Sequence, residues 1–184
     1  MIICDLPAYP ITYVNQPIRF KPESIEAINA AADTVAVRLS EYTRLPPVET
    51  FTAVFGPRVR TWFTPNLVGM DAFTKWGIIR WVSNDVVTYE LAVHEVMHLL
   101  CARAKNKPLK MLLGIPTIAG SSLPGMHPPS LAGYNLTEKF CNAGEAWARE
   151  QYADNTAGRE LAAWFDAHMP AWVAAAMGVR NVTV

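Results

Sequence analysis

One apolar segment, YELAVHEVMHLLC at residues 89–101, most constrains how this chain can fold. Its apolar residues follow the cap-type run SND at 83–85 and predict a helix from about Val86 to Ala104. The strand-like run GIIRWVS, Gly77 to Ser83, comes directly before it. This helix carries two histidines and a glutamate among apolar residues, and such polar groups need partners if the helix is buried.

The two histidines, His94 and His98, are four residues apart. On a helix this spacing places both rings on one face, where they can bind the same metal ion. Glu95 lies about 100° around the helix from His94, so it can approach a metal-bound water without being a ligand. HEVMH is thus an HExxH pattern, typical of zinc peptidases, and Zn²⁺ is the predicted cofactor. The alternatives are a helix whose histidines are four apart by chance, or a zinc site without catalysis.

The remaining pattern predicts a single α+β domain over residues 1–184. Prolines in residues 1–21 predict an extended arm with a short edge strand at Ile11–Val14. A helix from Pro22 to Arg44 is predicted to end before Pro46 and Pro47. The other predicted strands are Thr50–Phe55, Val59–Thr64 and Gly69–Thr74, and the later predicted helices are Thr137–Ala157, Arg159–Met169 and a short one from Pro170 to Gly178.

Residues 111–137 contain no Asp, Glu, Lys or Arg and are broken by proline and glycine. A long loop without structure of its own is usually functional or disordered. We expect this loop to lie over or beside the metal site, and an ordinary surface loop is the alternative.

A catalytic zinc ion needs a third protein ligand and an open fourth position. The extended pattern HExxHxxGxxH is absent, because Cys101 and Ala104 occupy the positions of its glycine and third histidine. Either of the other two histidines, His127 and His168, could be the third ligand, although neither has a motif around it. We expect Cys101 to be a small core residue rather than a reactive thiol.

Two glutamates on the predicted helix after the loop are candidates for the third ligand. Glu150 has Asp154 four residues later, and Glu145 has Arg149 at the same spacing. At this point the chain resembles the zincins, and within them the gluzincins, whose third ligand is a glutamate on a later helix with an acid four residues after it. Glu150 with Asp154 fits that arrangement and is preferred. Glu145 is the alternative and resembles the string of lethal-factor-type peptidases, with Arg149 replacing their final acid.

The resemblance implies a minimal zincin fold with a mostly parallel sheet and an antiparallel edge. The strand before the HExxH helix would be internal, and Gly69–Thr74 would be the edge that pairs with an extended substrate. It also implies that His94, His98 and Glu150 hold Zn²⁺ while Glu95 acts as general base in the hydrolysis of a peptide bond. Asp154 would support a histidine ligand. Candidates for stabilising the oxyanion are Tyr134, Tyr152 and His127.

Composition excludes several other classes of function. Sixteen basic and sixteen acidic residues cancel, so binding of nucleic acid through bulk charge is not expected. Three cysteines without a CxxC pair argue against a disulfide framework. Neither a signal peptide nor a transmembrane segment is predicted.

The expected partner is a peptide or protein substrate. A zinc-stabilised binding or assembly protein, and an amidohydrolase acting on a cell-wall-type substrate, are the alternatives.

Overall fold

The computed structural model describes residues 9–14, 21–63, 72–75, 78–81, 87–104 and 136–178. Helices and a small sheet both occur in these residues, which confirms the predicted α+β class. The helices and strands, in chain order, are β1 Ile11–Val14, α1 Pro22–Thr43, α2 Pro47–Phe55, β2 Val59–Phe63, β3 Ala72–Lys75, β4 Ile78–Trp81, α3 Tyr89–Arg103, α4 Leu136–Ala148 and α5 Thr156–Ala176.

The four strands form one sheet in the order β1-β2-β4-β3. β1 and β4 both run parallel to β2, and β3 runs antiparallel to β4 at the edge. Ile79 and Trp81 of β4 are buried, and the indole N–H of Trp81 donates a hydrogen bond to the buried Thr61 hydroxyl of β2. The strand that precedes α3 is therefore internal, with an antiparallel edge strand beside it, as the sequence predicted.

Helix α1 forms where it was predicted. Pro22 occupies the first turn, where its missing N–H has no intrahelical partner in any case. Arg44, with φ of 60°, ends the helix, and its N–H donates to the Ser40 carbonyl. The buried face of α1 contains small residues that let it approach α3 closely: Ala31, Ala32, Val35 and Ala36.

The predicted strand Thr50–Phe55 is wrong, because these residues belong to α2. The prediction relied on their aromatic and β-branched side chains. However, Phe51 and Phe55 are four residues apart and both are fully buried, with ring centroids 4.6 Å apart. Pro47 begins the helix, and Gly56 ends it with φ of 94°. Burial of one helical face outweighs the intrinsic β preference here.

Helix α3 is shorter than predicted at its start. Its N-cap is Thr88, whose hydroxyl accepts a hydrogen bond from the N–H of Leu91. The predicted cap residues 83–85 lie outside the described residues. Residues 92–97, 99 and 100 are all buried, because α3 contacts the other four helices of the described chain as well as β3 and β4.

The predicted helix Thr137–Ala157 is wrong beyond Ala148. There the N–H of Gln151 donates to the Ala146 carbonyl and the N–H of Glu150 donates to the Trp147 carbonyl. This is a Schellman motif, and it places Glu150 in the left-handed region with φ of 54°. Glu150 therefore lies in a turn after α4 rather than on a helix.

Helix α5 also differs from the prediction. Asn155 caps it by accepting a hydrogen bond from the N–H of Gly158, and the helix continues through Pro170 to Ala176. No separate helix begins at Pro170. Buried residues on both sides of this proline, Met169 and Trp172 among them, hold the two halves against the same core.

The aromatic residues of the last two helices form core. Trp147, Trp164, Phe165 and Trp172 are buried. Phe140 of α4 stacks on Trp172 with ring centroids 4.1 Å apart and an interplanar angle of 7°. This cluster packs α4 against α5.

Most of the predicted uncharged loop, residues 111–135, lies outside the described residues, and residues 136 and 137 begin α4. The expectation that the loop lies beside the metal site stays a prediction. None of the helices in the described ranges has an apolar run long enough to span a lipid bilayer.

The close approach of α4 to α3 depends on Gly144. A β-carbon at this position would lie 2.5 Å from Cε of Met97 and 3.0 Å from its Cγ. These separations are far shorter than van der Waals contact, so any larger residue would force the buried Met97 side chain to move.

We expect Gly144→Ala to lower the free energy of unfolding by about 1–3 kcal/mol, because the added methyl group overpacks a tight helix contact. Urea unfolding of the wild type and the variant measures this difference. Met97→Ala empties the same space, so Gly144→Ala should cost less stability in the Met97→Ala background than in the wild type. Equal stability of Gly144→Ala and wild type would contradict the close approach.

Candidate metal centre

Three side chains of α3 and α4 converge on one point. The Nε2 atoms of His94 and His98 are 3.1 Å apart. Glu138, in the first turn of α4, places Oε2 3.3 Å from Nε2 of His94 and Oε1 3.3 Å from Nε2 of His98. The i,i+4 spacing on α3 therefore brings both imidazoles together, and a carboxylate from the neighbouring helix completes a triangle.

The size of this triangle fits a small metal ion. In a tetrahedral site with metal–donor distances of about 2.0–2.1 Å, the donor atoms are about 3.3 Å apart. The three observed separations are 3.1, 3.3 and 3.3 Å. Two imidazole nitrogens and one carboxylate are also a donor set that zinc accepts in catalytic sites. The residues present therefore fit the predicted cofactor in both geometry and chemistry.

The electrostatics of the cluster favour a cation between these groups. Hydrogen bonds from His94 and His98 lower the pKa of Glu138 far below its ordinary value, so this carboxylate stays ionised. Burial lowers the pKa of His98, but the hydrogen bond to Glu138 and the charges of Glu95 and Glu138 outweigh it, and the net shift is upward. The protein thus stabilises positive charge at this position, whether it is a proton or a metal ion.

Glu95 completes the cluster from the α3 side. Its carboxylate lies within 4.8 Å of donor atoms of both His94 and His98, and the residue is 2 % exposed. The side chain of Glu138 is 37 % exposed, so among the described residues the centre is open to solvent on the α4 side. A buried carboxylate next to three solvent-accessible donor atoms can accept a proton from a bound ligand or donate one to it.

The structure places Glu150, the preferred third ligand of the sequence prediction, elsewhere. Its carboxylate pairs with Nη1 of Arg38 at 2.9 Å and its side chain is 68 % exposed. Asp154 is also exposed, in the segment between α4 and α5. Because the helix ends at Ala148, neither residue is carried along α4 toward the histidines, and the geometry does not support Glu150 or Asp154 in the roles predicted for them.

Glu145, the alternative third ligand, is buried but faces Arg149. Its Oε1 accepts a hydrogen bond from Nη1 of Arg149 at 3.1 Å, and the residue is only 1 % exposed. Nη2 of Arg149 lies 3.8 Å from Glu90 at the start of α3, and its guanidinium lies over the Tyr89 ring. The Glu145–Arg149 pair therefore links the end of α4 to the beginning of α3. The carboxylate of Glu138 lies 3.3 Å from both histidine Nε2 atoms.

The other candidates divide into two groups. Tyr134 and His127 lie outside the described residues. Tyr152 and His168 are described and lie apart from the centre. Tyr152 is half-buried near Arg38, and burial raises its pKa well above the ordinary value. The His168 ring packs beside Trp164 on α5, with centroids 4.7 Å apart.

Sequence reasoning missed Glu138 for two reasons. An acid in the first turn of a helix is ordinary, because it interacts favourably with the helix dipole and needs no other explanation. The gluzincin pattern that favoured Glu150 also has an acid four residues after the glutamate, and Glu138 has Asn142 there instead. Asn142 is buried in α4, so a polar side chain four residues later was the available signal.

No protein-family model matches this chain, and neither a curated protein nor a solved structure matches it significantly.

In protein stripped of metal with a chelator, the His98–Glu138 pair should stabilise the fold most between about pH 4.5 and 6.5, the ordinary pKa values of the two groups. The contribution of Glu138, whose folded pKa is lowered, is present above 4.5 and is lost as pH falls through the folded value. That of His98, whose folded pKa is raised, is present below 6.5 and is lost as pH rises through the folded value.

Urea unfolding as a function of pH, with EDTA present throughout, measures this dependence. Glu138→Gln should flatten the profile in that window, while Glu150→Gln, which removes an exposed carboxylate, should leave the window in place. A wild-type profile that coincides with that of Glu138→Gln would contradict the pairing.

Proposed function

We propose that the protein is a zinc-dependent metallopeptidase whose metal ligands are His94, His98 and Glu138. The observation that carries this proposal is the triangle of donor atoms, with sides of 3.1, 3.3 and 3.3 Å. Three protein donors leave one position of a tetrahedral zinc ion free for water or substrate, which distinguishes catalytic from structural sites.

The arrangement of secondary structure supports a zincin-like fold as part of the proposal. The HExxH helix follows an internal strand, and the strand before that is an antiparallel edge. The third carboxylate comes from a later helix, as in gluzincins, although it is Glu138 rather than Glu150. Asn142 follows four residues after it in place of the acid of those families.

The chain's own residues have distinct roles in the proposed reaction. A zinc ion at this centre would supply a Lewis acid that activates water and polarises a peptide carbonyl. Glu95, buried next to both histidines, accepts the proton of the attacking water and then donates it to the leaving amine. The ionised Glu138 and the two imidazoles would hold the ion. The α4 side of the centre, where Glu138 is exposed, would admit the substrate.

We expect the purified protein to bind one zinc ion per chain. His94→Ala, His98→Ala and Glu138→Gln should each lower the zinc affinity by more than about 100-fold. Removing a side chain that binds the metal directly costs more affinity than removing a residue that only hydrogen-bonds to a ligand. Isothermal titration with Zn²⁺ and metal analysis after dialysis measure this. Glu150→Gln is the matched control and should bind zinc like the wild type, since its carboxylate pairs with Arg38.

Loss of zinc in Glu150→Gln with retention in Glu138→Gln would overturn the ligand assignment. A folded wild-type protein that binds no zinc would overturn the proposal as a whole.

Glu95→Gln should keep zinc and fold but lose peptide hydrolysis by at least about 10²–10⁴-fold, because glutamine has the shape of glutamate and cannot act as a base. A proteome-derived peptide library, incubated with each protein and read by mass spectrometry, measures cleavage. Undiminished cleavage by Glu95→Gln would contradict its role. A zinc-loaded wild type that cleaves no peptide would instead support a zinc-stabilised binding protein.

A further inference from the structure

Polar side chains of α3 and α4 meet at two places along the contact between these helices. On α3, Glu90, His94 and His98 follow one another at a spacing of four residues, so they share one face of the helix. On α4, Glu138 and Glu145 are seven residues apart, which is within about 20° of two full helical turns, so they also share a face. The donor triangle is the first of the two meeting places.

Arg149 forms the second. It follows the last residue of α4, and its N–H still donates to the carbonyl of Glu145 at 3.1 Å. Its guanidinium pairs with the Glu145 carboxylate at 3.1 Å and extends to α3, where Nη2 lies 3.8 Å from Glu90 and Cζ lies 5.5 Å from the centroid of the Tyr89 ring. The Tyr89 hydroxyl shares a hydrogen bond of 2.8 Å with Thr34 of α1. Arg149 therefore joins the end of α4 to a part of α3 that α1 holds in place.

The Glu145–Arg149 pair is largely buried, and this limits what it can contribute. Glu145 is 1 % exposed, and the side chain of Arg149 is 16 % exposed. A buried ion pair adds little net stability, because the cost of removing both charges from water offsets their attraction. Its best-attested effect is to select one register of packed elements, since another register would leave a buried charge without its partner. We therefore expect the pair to set the position of α4 on α3.

We propose that Arg149 is a positioning residue that holds Glu138 against His94 and His98 and thereby sets the geometry of the donor triangle. The effect on metal binding rests on the function proposed above, whereas the contact of Arg149 with α3 does not.

Arg149 acts on Glu138 through the helix between them. One residue adds about 1.5 Å to the length of a helix, so a slide of α4 by even one residue is large compared with the 3.3 Å between Glu138 and each imidazole nitrogen. A rotation of α4 would turn Glu138 away from α3 together with Glu145, because the two share a face. Either movement would also take Arg149 away from Glu90 and Tyr89. The contacts of Arg149 with α3 thus oppose the movements that would open the triangle.

The first experiment measures the zinc affinity of the full-length protein by competition with a chromophoric chelator. Arg149→Met removes the charge and keeps an unbranched side chain, and it should lower the affinity by about 10–100-fold, the range typical of residues that orient a metal ligand. Arg149→Lys keeps a cation and should recover part of this loss. Arg159→Met is the matched control and should bind zinc like the wild type, because Arg159 is exposed on α5 and donates to Thr156 of the same helix.

A double-mutant cycle tests whether Arg149 acts through Glu138. In the Glu138→Gln background, Arg149→Met should change the zinc affinity by less than about threefold, because the ligand that Arg149 positions is already lost. An effect of Arg149 that does not pass through Glu138 would repeat the full loss in this background and would overturn the proposal.

The visible spectrum of the protein loaded with Co²⁺ gives a further signature, because its bands depend on the atoms that bind the metal. Arg149→Met should shift the spectrum toward that of Glu138→Gln, whereas Arg159→Met should keep the wild-type spectrum. A wild-type spectrum in Arg149→Met would contradict the displacement of Glu138.

A second variant guards against misfolding. Arg149→Met takes the arginine away from the buried Glu145, which is strongly destabilising. Glu145→Met combined with Arg149→Met replaces both charges by apolar side chains, a change that buried ion pairs often tolerate. Near-UV circular dichroism shows whether each variant is folded. The double variant should lose zinc affinity as Arg149→Met does, and wild-type affinity in either folded variant would overturn the proposal.

Hydrogen exchange of the metal-free protein measures the contact of Arg149 with α3 independently of zinc. In the double variant, peptides from α4 should exchange at least about fivefold faster than in the wild type, while peptides from α1 exchange at the wild-type rate. Equal exchange of the α4 peptides in the two proteins would contradict the role of this contact in holding α4.

The proposed function and this inference fail in distinguishable ways. If the wild type binds no zinc but the selective change in exchange appears, the proposed metal site and the effect of Arg149 on it are both wrong, and only the helix contact stands. If Glu138→Gln loses zinc but folded Arg149→Met binds it like the wild type, the metal site stands and the positioning inference is wrong.

Discussion

The contact between α3 and α4 is the constraint on which the rest of the structure depends. It brings two imidazoles and a carboxylate to within 3.3 Å of one another. Such a group of donor atoms is stable only if protons lie between the nitrogen and oxygen atoms or if a metal ion binds all of them. The surrounding structure supports this contact: small residues of α1 pack against α3, and Phe140 of α4 stacks on Trp172 of α5.

A further buried carboxylate, that of Glu145, is also compensated by a neighbouring group. Glu145 is almost fully buried, and Arg149 pairs with it at 3.1 Å while also facing Glu90 and Tyr89 at the start of α3. An unpaired carboxylate at that position would be strongly destabilising. The two helices are thus joined by ionic contacts near both ends of their interface, and the donor triangle is one of these.

The fold class and the HExxH helix could be predicted from the sequence because they depend on local periodicity. The strand before α3 and the edge strand preceding it were also found, since runs of β-branched and aromatic residues stand between turn signals. The segment Thr50–Phe55 was not, because its composition favours a strand while burial of Phe51 and Phe55 against the core selects a helix. Local preference predicts secondary structure only where tertiary packing agrees with it.

The preference for Glu150 as the third carboxylate depended on where a helix ends. Glu150 looked suitable only if α4 continued past Ala148, and backbone hydrogen bonds to Ala146 and Trp147 end it there. A non-glycine residue in the left-handed region gives no signal in the sequence. Glu138, by contrast, is placed by the packing of α4 on α3 across a long sequence separation, which no local pattern reports.

That separation has a consequence for how the chain can vary. Glu138 follows His98 by about 40 residues, so the two halves of the donor triangle are joined by a long connection. The entropy of closing such a connection grows only with the logarithm of its length, and doubling the length costs about 0.6 kcal/mol. Related chains could therefore carry insertions or deletions between α3 and α4 and keep the same triangle. A change in the length of this connection therefore need not alter the spacing of the three donor atoms.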